Sequence, residues 1–148
     1  MGSTTTSATE HGPVAIVGAG LIGRAWAIVF ARAGHPVRLH DMDLHTMQSS
    51  HAYIEERLNE LAEFDLLNDA PVTVLERITC VPDLADALRD VVLVQENVRE
   101  TVEAKIDIFS RMDALAPKDA ILASSTSWLP ASEFTRDLPG RGRCVVAH

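Results

Sequence analysis

The stretch "VAIVGAGLIGRAWAIVF" at residues 14–30 constrains the fold more than any other part of this chain. A short apolar run, Val14 to Val17, breaks into Gly18-x-Gly20-x-x-Gly23. Leu21, Ile22, Ala25, Trp26, Val29, Phe30 and Ala33 then recur at helical spacing until Gly34 closes the segment. That pattern reads as strand, tight turn, helix. The three glycines serve different ends, since Gly18 permits the turn, Gly20 lets the backbone approach a pyrophosphate, and Gly23 lets helix and strand pack closely. Alone the motif is weak evidence, because glycines can simply shape a loop. Its context strengthens it, since an acidic residue, Asp41, closes the next strand 21 residues beyond Gly20.

Phosphates bound at this turn would lie over the unpaired N–H groups of a helix start, where the helix dipole favours anions. Asp41 is suited to accept hydrogen bonds from both adenosine ribose hydroxyls and to repel a 2′-phosphate, so the expected cofactor is NAD rather than NADP. Arg38 and His40 lie close by and oppose that preference. A flavin nucleotide uses the same turn and is the alternative.

The rest of the chain repeats the unit. "PVRLHD" alternates as a strand. A helix is expected from Leu44 to about Leu67 through Met47, Ile54, Leu58 and Leu61, and Asp69-Ala70-Pro71 reads as the cap and first position of a short second helix. "RITC" is a third strand, residues 82–88 a helix, "VVLVQ" (91–95) a fully buried strand, and residues 101–115 an amphipathic helix through Val102, Ile106, Phe109 and Leu115. "AILAS" (120–124), a helix at 130–138 and the buried strand "CVVA" complete it. Six strands alternating with helices predict an α/β fold, because parallel neighbours need right-handed crossovers. The expected architecture is a Rossmann-type, doubly wound, parallel six-stranded sheet in the order 3-2-1-4-5-6, with a helical excursion after strand 2. The domain covers residues 13–148, after a disordered Ser/Thr-rich tail at 1–12.

Composition narrows the partners. The formal net charge is −8 and the lysines are Lys105 and Lys118, so no basic stripe exists to neutralise a nucleic acid backbone. No apolar run approaches the ~20 residues that cross a bilayer. The opening Met-Gly-x-x-x-Thr fits the loose myristoylation pattern, which a Ser/Thr-rich start meets easily. Two cysteines, Cys80 and Cys144, are too few for a disulfide framework or a zinc site. They read as small core residues of a reducing, cytoplasmic compartment.

In an open parallel sheet, chemistry gathers at the carboxyl ends of the strands. Strand five ends in "SSTSW" and strand six in His148. Neighbouring strands lie about 4.8 Å apart, so Ser127 and His148 could face one small volume. There an imidazole could take a hydroxyl proton while hydride leaves the carbon. From spacing alone the bland readings stay open: a solvated end residue and a helix cap.

"VAIVGAGLIGRAWAIVF", "QENVRETVEAK", "ILASSTSWLPAS" and "CVVAH" together resemble the NAD-binding domain of the 3-hydroxyacyl-CoA dehydrogenase superfamily, and most its lambda-crystallin and L-gulonate 3-dehydrogenase branch. The resemblance implies an NAD-dependent oxidation of a 3-hydroxy acid, with His148 as general base and Ser127 contacting substrate and cofactor. It places cofactor contacts on Leu21, Ile22, Asp41, Glu100 and Lys105, beside Gly18, Gly20 and Gly23. Taken alone, Glu100 and Lys105 would read as a solvated pair at a helix start. The family continues beyond its histidine with a glutamate that orients the imidazole and a helical domain that forms a homodimer. The chain therefore reads as the cofactor-binding part of a longer polypeptide, a poor catalyst by itself, with Trp128 and Leu129 marking where helices would dock.

Residues 44–76 carry seven carboxylates (Glu55, Glu56, Glu60, Glu63, Asp65, Asp69 and Glu76) against one cation, Arg57. Such a surface would repel coenzyme A, and the family's acyl-CoA members show asparagine where Ser125 stands. Both features favour a small hydroxy acid or sugar acid as the small-molecule substrate. A 3-hydroxyacyl-CoA or carnitine dehydrogenase and a non-catalytic nucleotide-binding module are the alternatives.

Overall fold

The computed structural model describes residues 11–148. Residues 1–10, including most of the expected tail and its myristoylation pattern, lie outside the described residues. His11 and Gly12, expected in that tail, belong to the fold: the His11 ring lies 4.9 Å from that of His35, and the Gly12 carbonyl sits 2.9 Å from His35 Nδ1.

Six strands form one parallel sheet: β1 (Val14–Val17), β2 (Val37–His40), β3 (Ile78–Cys80), β4 (Leu93–Glu96), β5 (Ile121–Ser124) and β6 (Cys144–Val146), in the order β3-β2-β1-β4-β5-β6. The helices between them are α1 (Leu21–Arg32), α2 (Leu44–Glu63), α3 (Pro71–Leu75), α4 (Leu84–Ala87), α5 (Val102–Leu115) and α6 (Ala131–Thr135). This is the doubly wound arrangement that the sequence predicts. The register brings Val17, His40, Glu96, Ser124 and Val146 to one edge, and the order reverses between β1 and β4, where a crevice opens. Alternation along β1 divides the core: Ala15 and Val17 face a cluster around Phe109 and Leu122, and Val14 and Ile16 face one around Leu39, Ile54 and Leu58. Each fully buried large aliphatic contributes roughly 1.5–3 kcal/mol.

Several local expectations need correction. α2 stops at Glu63 rather than near Leu67, because Asp65 turns left-handed at φ 55°. α3 opens at Pro71 as expected, with Ala70 at the cap, and the Asp69 carboxylate makes no cap bond but pairs with Arg77 at 2.7 Å. The 82–88 helix is shorter, since Asp83 caps it by accepting from Asp86 N.

The buried faces differ too. α1 packs on the sheet through its small residues Gly23, Ala27 and Ala31 with Ile28, while Leu21, Ile22 and Val29 stay exposed. On α5, Ile106 and Leu115 point outward, and Lys105, Ile108, Phe109, Met112 and Asp113 point inward. The fourth strand is not buried along its whole expected length, for Val92 is exposed. β6 is an edge strand with Val145 and Val146 exposed rather than a buried one. Cys80 and Cys144 are half-buried rather than core, and burial raises both thiols above their ordinary pKa. Of the pair expected at a docking face, Trp128 is exposed and Leu129 is buried among core residues.

The connection into β6 is held by Asp113, whose carboxylate accepts from Arg143 Nη2 at 2.9 Å and from Gly140 N at 3.1 Å. Burial alone would raise this carboxyl. The Arg143 hydrogen bond and charge, with the Gly140 N–H and the Lys118 charge, outweigh burial and hold it below the usual carboxylate range. Because the folded pKa lies below the unfolded one, its stabilisation is complete above about pH 4 and is lost as pH falls through the folded value. Asp113→Asn should therefore lower stability near neutrality and flatten the acid limb of a stability–pH profile measured by urea unfolding. An unchanged limb would remove Asp113 from that role.

Candidate functional site: a nucleotide crevice and an adjoining pocket

The glycine turn occupies the head of the crevice. Gly18 has φ +97°, and a Cβ there would lie 2.7 Å from the Asn97 carbonyl oxygen beyond β4. A Cβ on Gly23 would overlap the Gly18 carbonyl oxygen, whereas one on Gly20 would project into open space. Gly20 thus fronts an empty cradle that any side chain would begin to fill. Gly18, Gly20, Asp41, Thr46, Asn97 and Val98 line a cavity of about 430 Å³ on this side of the turn.

Asp41 stands at its rim. Its Oδ2 accepts from Ala19 N at 2.7 Å and its Oδ1 from Asp43 N at 2.9 Å. A carboxylate offers about four acceptor sites, so each oxygen retains capacity for one ribose hydroxyl while the backbone fixes the group's orientation. Arg38 is directed elsewhere, its guanidinium bound to the carbonyls of Asp86 and Arg89. His40 is buried with Nδ1 against Val81 O at 3.0 Å. The Arg38 guanidinium is thus turned away from a 2′-phosphate, while His40 lines the cavity with one ring nitrogen engaged. Asn97 adds a feature absent from the sequence reading: its Nδ2 donates to Gln95 O, and its buried Oδ1 has no partner among the described residues. An orphaned buried acceptor in a crevice suits a ligand hydroxyl.

On the other side of the turn, Ile22, Ala25, Trp26, Val29, Ser125, Ser127 and His148 line a second cavity of about 330 Å³. The structure thus brings Ser127 and His148 to one pocket, against the apolar face of α1. Leu21, at the head of α1, is exposed.

Glu100 and Lys105 are not the solvated pair that their sequence suggests. Lys105 is fully buried, with Nζ 3.0 and 3.1 Å from the two oxygens of Glu96, itself fully buried, and 3.4 Å from Glu100 Oε2. Glu96 also accepts from Val98 N at 2.6 Å and from Ser124 Oγ. Glu100 Oε1 accepts from the Thr126 hydroxyl and from Ser127 N at 3.0 Å. Burial pulls the Glu100 pKa up, but Thr126, the Lys105 charge and the Ser127 N–H together hold it below its ordinary value. This cluster fixes the loop that carries Ser127. Gln95, the neighbour of Glu96, steadies the segment leading to His148, because its buried Nε2 donates to Ala147 O at 2.9 Å. Glu96 and Gln95 were missed as site residues. The signal for them was a carboxylate and an amide inside an otherwise apolar strand.

Fold and site define a dinucleotide-binding domain with a hydroxyl and imidazole pocket beside the turn. Residues 13–148 match the family described as "3-hydroxyacyl-CoA dehydrogenase, NAD binding domain", and the chain belongs to that family. It is 33% identical over 145 residues to the lambda-crystallin homolog of Homo sapiens, covering 96% of this chain and 45% of that one. It is 31% identical over 156 residues to the L-carnitine dehydrogenase of Streptomyces griseus, covering 98% and 46%. Among solved structures, the 3-hydroxybutyryl-CoA dehydrogenase of Escherichia coli superposes with a TM-score of 0.85 at 26% identity, over 92% of this chain and 29% of that one. The chain spans less than half the length of these relatives. No helix among the described residues is long and apolar enough to cross a membrane.

Removing Lys105 would leave Glu96 buried and unpaired, a change that typically costs about 3–5 kcal/mol. Lys105→Met should therefore destabilise the domain strongly, and Glu96→Gln in the same chain should recover part of the loss. Chemical denaturation of both variants tests this. A Lys105→Met cost under about 1 kcal/mol, the range of an exposed pair, would contradict the buried cluster.

Proposed function

We propose that this chain is the cofactor-binding part of an NAD-dependent dehydrogenase that oxidises a small 3-hydroxy acid. The observation that carries the reading is the placement of Ser127 and His148 on one pocket wall, immediately beyond the turn that fronts the nucleotide crevice. His148 would accept the proton of the substrate hydroxyl as general base. Ser127 would hold the same oxygen by a hydrogen bond, its loop kept in place by Glu100. Ile22, Ala25, Trp26 and Val29 would keep water from the reacting carbon. NAD, when bound, supplies the acceptor for the hydride. Gly20, Leu21 and Ile22 would carry its phosphates on the turn that Gly18 and Gly23 shape, Asp41 its adenosine ribose, and Glu100 and Lys105 would support its nicotinamide end through the Ser127 loop.

The activity belongs, in this reading, to a polypeptide of the relatives' length, cytoplasmic and homodimeric, in which a further helical domain completes the substrate site. The acidic surface of α2 and its neighbours supports a small acid such as L-gulonate over a polyanionic coenzyme A ester. An acyl-CoA or carnitine substrate is the second reading, favoured by the apolar α1 wall of the pocket. Turnover of L-gulonate but not acetoacetyl-CoA or carnitine by the full-length enzyme would decide for the first.

Two variants test the roles. Asp41→Ala should weaken NADH and narrow its advantage over NADPH, measured by titration; equal affinities in the unaltered protein would remove the role given to Asp41. His148→Asn in the full-length protein should lower kcat at least about 100-fold with little change in NADH affinity. Undiminished turnover would remove His148 as the base, and no turnover by the unaltered full-length protein would leave a nucleotide-binding module in place of an enzyme.

A further inference from the structure

The Ala19–Gly20 peptide lies at the centre of the glycine turn and is held from both sides. The preceding N–H, that of Ala19, is bound by Asp41, as described above. The Ala19 carbonyl accepts from Arg24 Nε at 2.9 Å, and the Ser50 hydroxyl lies 3.3 Å from the same oxygen. Arg24 Nε is shared with Ser50 Oγ at 3.0 Å, while Nη2 donates to Thr46 O at 3.3 Å and Ser49 Oγ at 3.1 Å. The guanidinium also lies 5.0 Å from the centre of the Tyr53 ring. One side chain of α1 thus ties the turn to the first two turns of α2. Ser50 is fully buried; its hydroxyl donates to Thr46 O at 2.7 Å, one turn back in α2, which leaves its oxygen to accept from Arg24 Nε.

The carbonyl and N–H of a trans peptide point in opposite directions. Pinning Ala19 O toward Arg24 therefore turns the Gly20 N–H away from α2. That N–H has no partner among the described residues, and Gly20 lines the 430 Å³ cavity with open space before its α-carbon. We propose that Arg24, backed by Ser50, is a positioning residue for the cofactor phosphates: it fixes the Ala19–Gly20 peptide with the Gly20 N–H facing the pyrophosphate. The inference rests on NAD binding at this turn. An N–H oriented before binding spares the ordering that a loose turn would undergo on association.

The test titrates NADH into the unaltered protein, Arg24→Met, Arg24→Lys and a control, Arg143→Met, which breaks an ion pair far from the turn. Amide hydrogen exchange across residues 18–23 is measured on each without ligand. The clamp predicts about tenfold weaker NADH binding for Arg24→Met, on the scale of one hydrogen bond to a charged group. It predicts a clear loss for Arg24→Lys as well, which keeps the charge but not the shared Nε donor. Binding by Arg143→Met should change less than twofold, and exchange at 18–23 should quicken only in the Arg24 variants. Full rescue by lysine would reduce Arg24 to a source of positive potential and overturn the clamp. An equal loss in Arg143→Met would reduce the effect to general destabilisation and overturn it too. If the unaltered protein ignores NADH, the cofactor reading fails, and unchanged exchange in Arg24→Met would separately remove the clamp.

Discussion

α1 can begin where it does only because Gly23 carries no side chain, and everything at the crevice follows from that close approach. A Cβ at Gly23 would collide with the Gly18 carbonyl, pushing the first turn of the helix off the end of β1. With the glycine, the helix starts within a few residues of the strand. Gly18 turns left-handed between the ends of β2 and β4, and Gly20 faces open space. The Gly18 N–H is meanwhile retained by His40 O at 2.8 Å and Asn97 N by Val17 O at 2.7 Å, so the turn is locked to both neighbouring strands. A backbone fixed this way can present N–H groups to an anion without reorganising.

The end of β4 is the second organiser. Gln95 reaches toward the β6 end and Glu96 toward Lys105 on α5 and Ser124 on β5, so two adjacent residues brace the segments that lead to His148 and, through Lys105 and Glu100, to Ser127. The buried charges of Glu96 and Lys105 are costly to desolvate, and they persist because each is multiply hydrogen-bonded, with the half-buried Glu100 at their edge. Replacing such a cluster by apolar groups often raises stability, so what it contributes here is position: its bonds to Ser124, Thr126 and Ser127 N hold the loop beyond β5.

Legibility of the sequence followed the range of the physics. The glycine turn, Asp41 and the strand order could be read because they depend on local spacing and on the handedness of crossovers. The buried face of α1 could not, because the larger apolar residues suggested the wrong stripe: tight packing at Gly23 selects Ala27 and Ala31 for the sheet and leaves Trp26 and Val29 to wall the pocket. Lys105 looked solvated because lysines usually are. It lies in helical register with Ile108, Phe109 and Met112, and Glu96 awaits it from a strand otherwise apolar, but that pairing joins two elements and needs the fold to be seen. Arg24 belongs with it, since its partners at Thr46, Ser49 and Ser50 lie on another helix.

A pyridine nucleotide spanning both cavities across the glycine turn would unite these features, and backbone NMR shifts recorded while NAD is added to the protein put that to the proof. Saturable changes are expected at residues 18–23, at Asp41, at 97–100 and at 125–127 together with His148, on both sides of the turn. Changes confined to one surface away from the strand ends, or none at millimolar NAD, would contradict it.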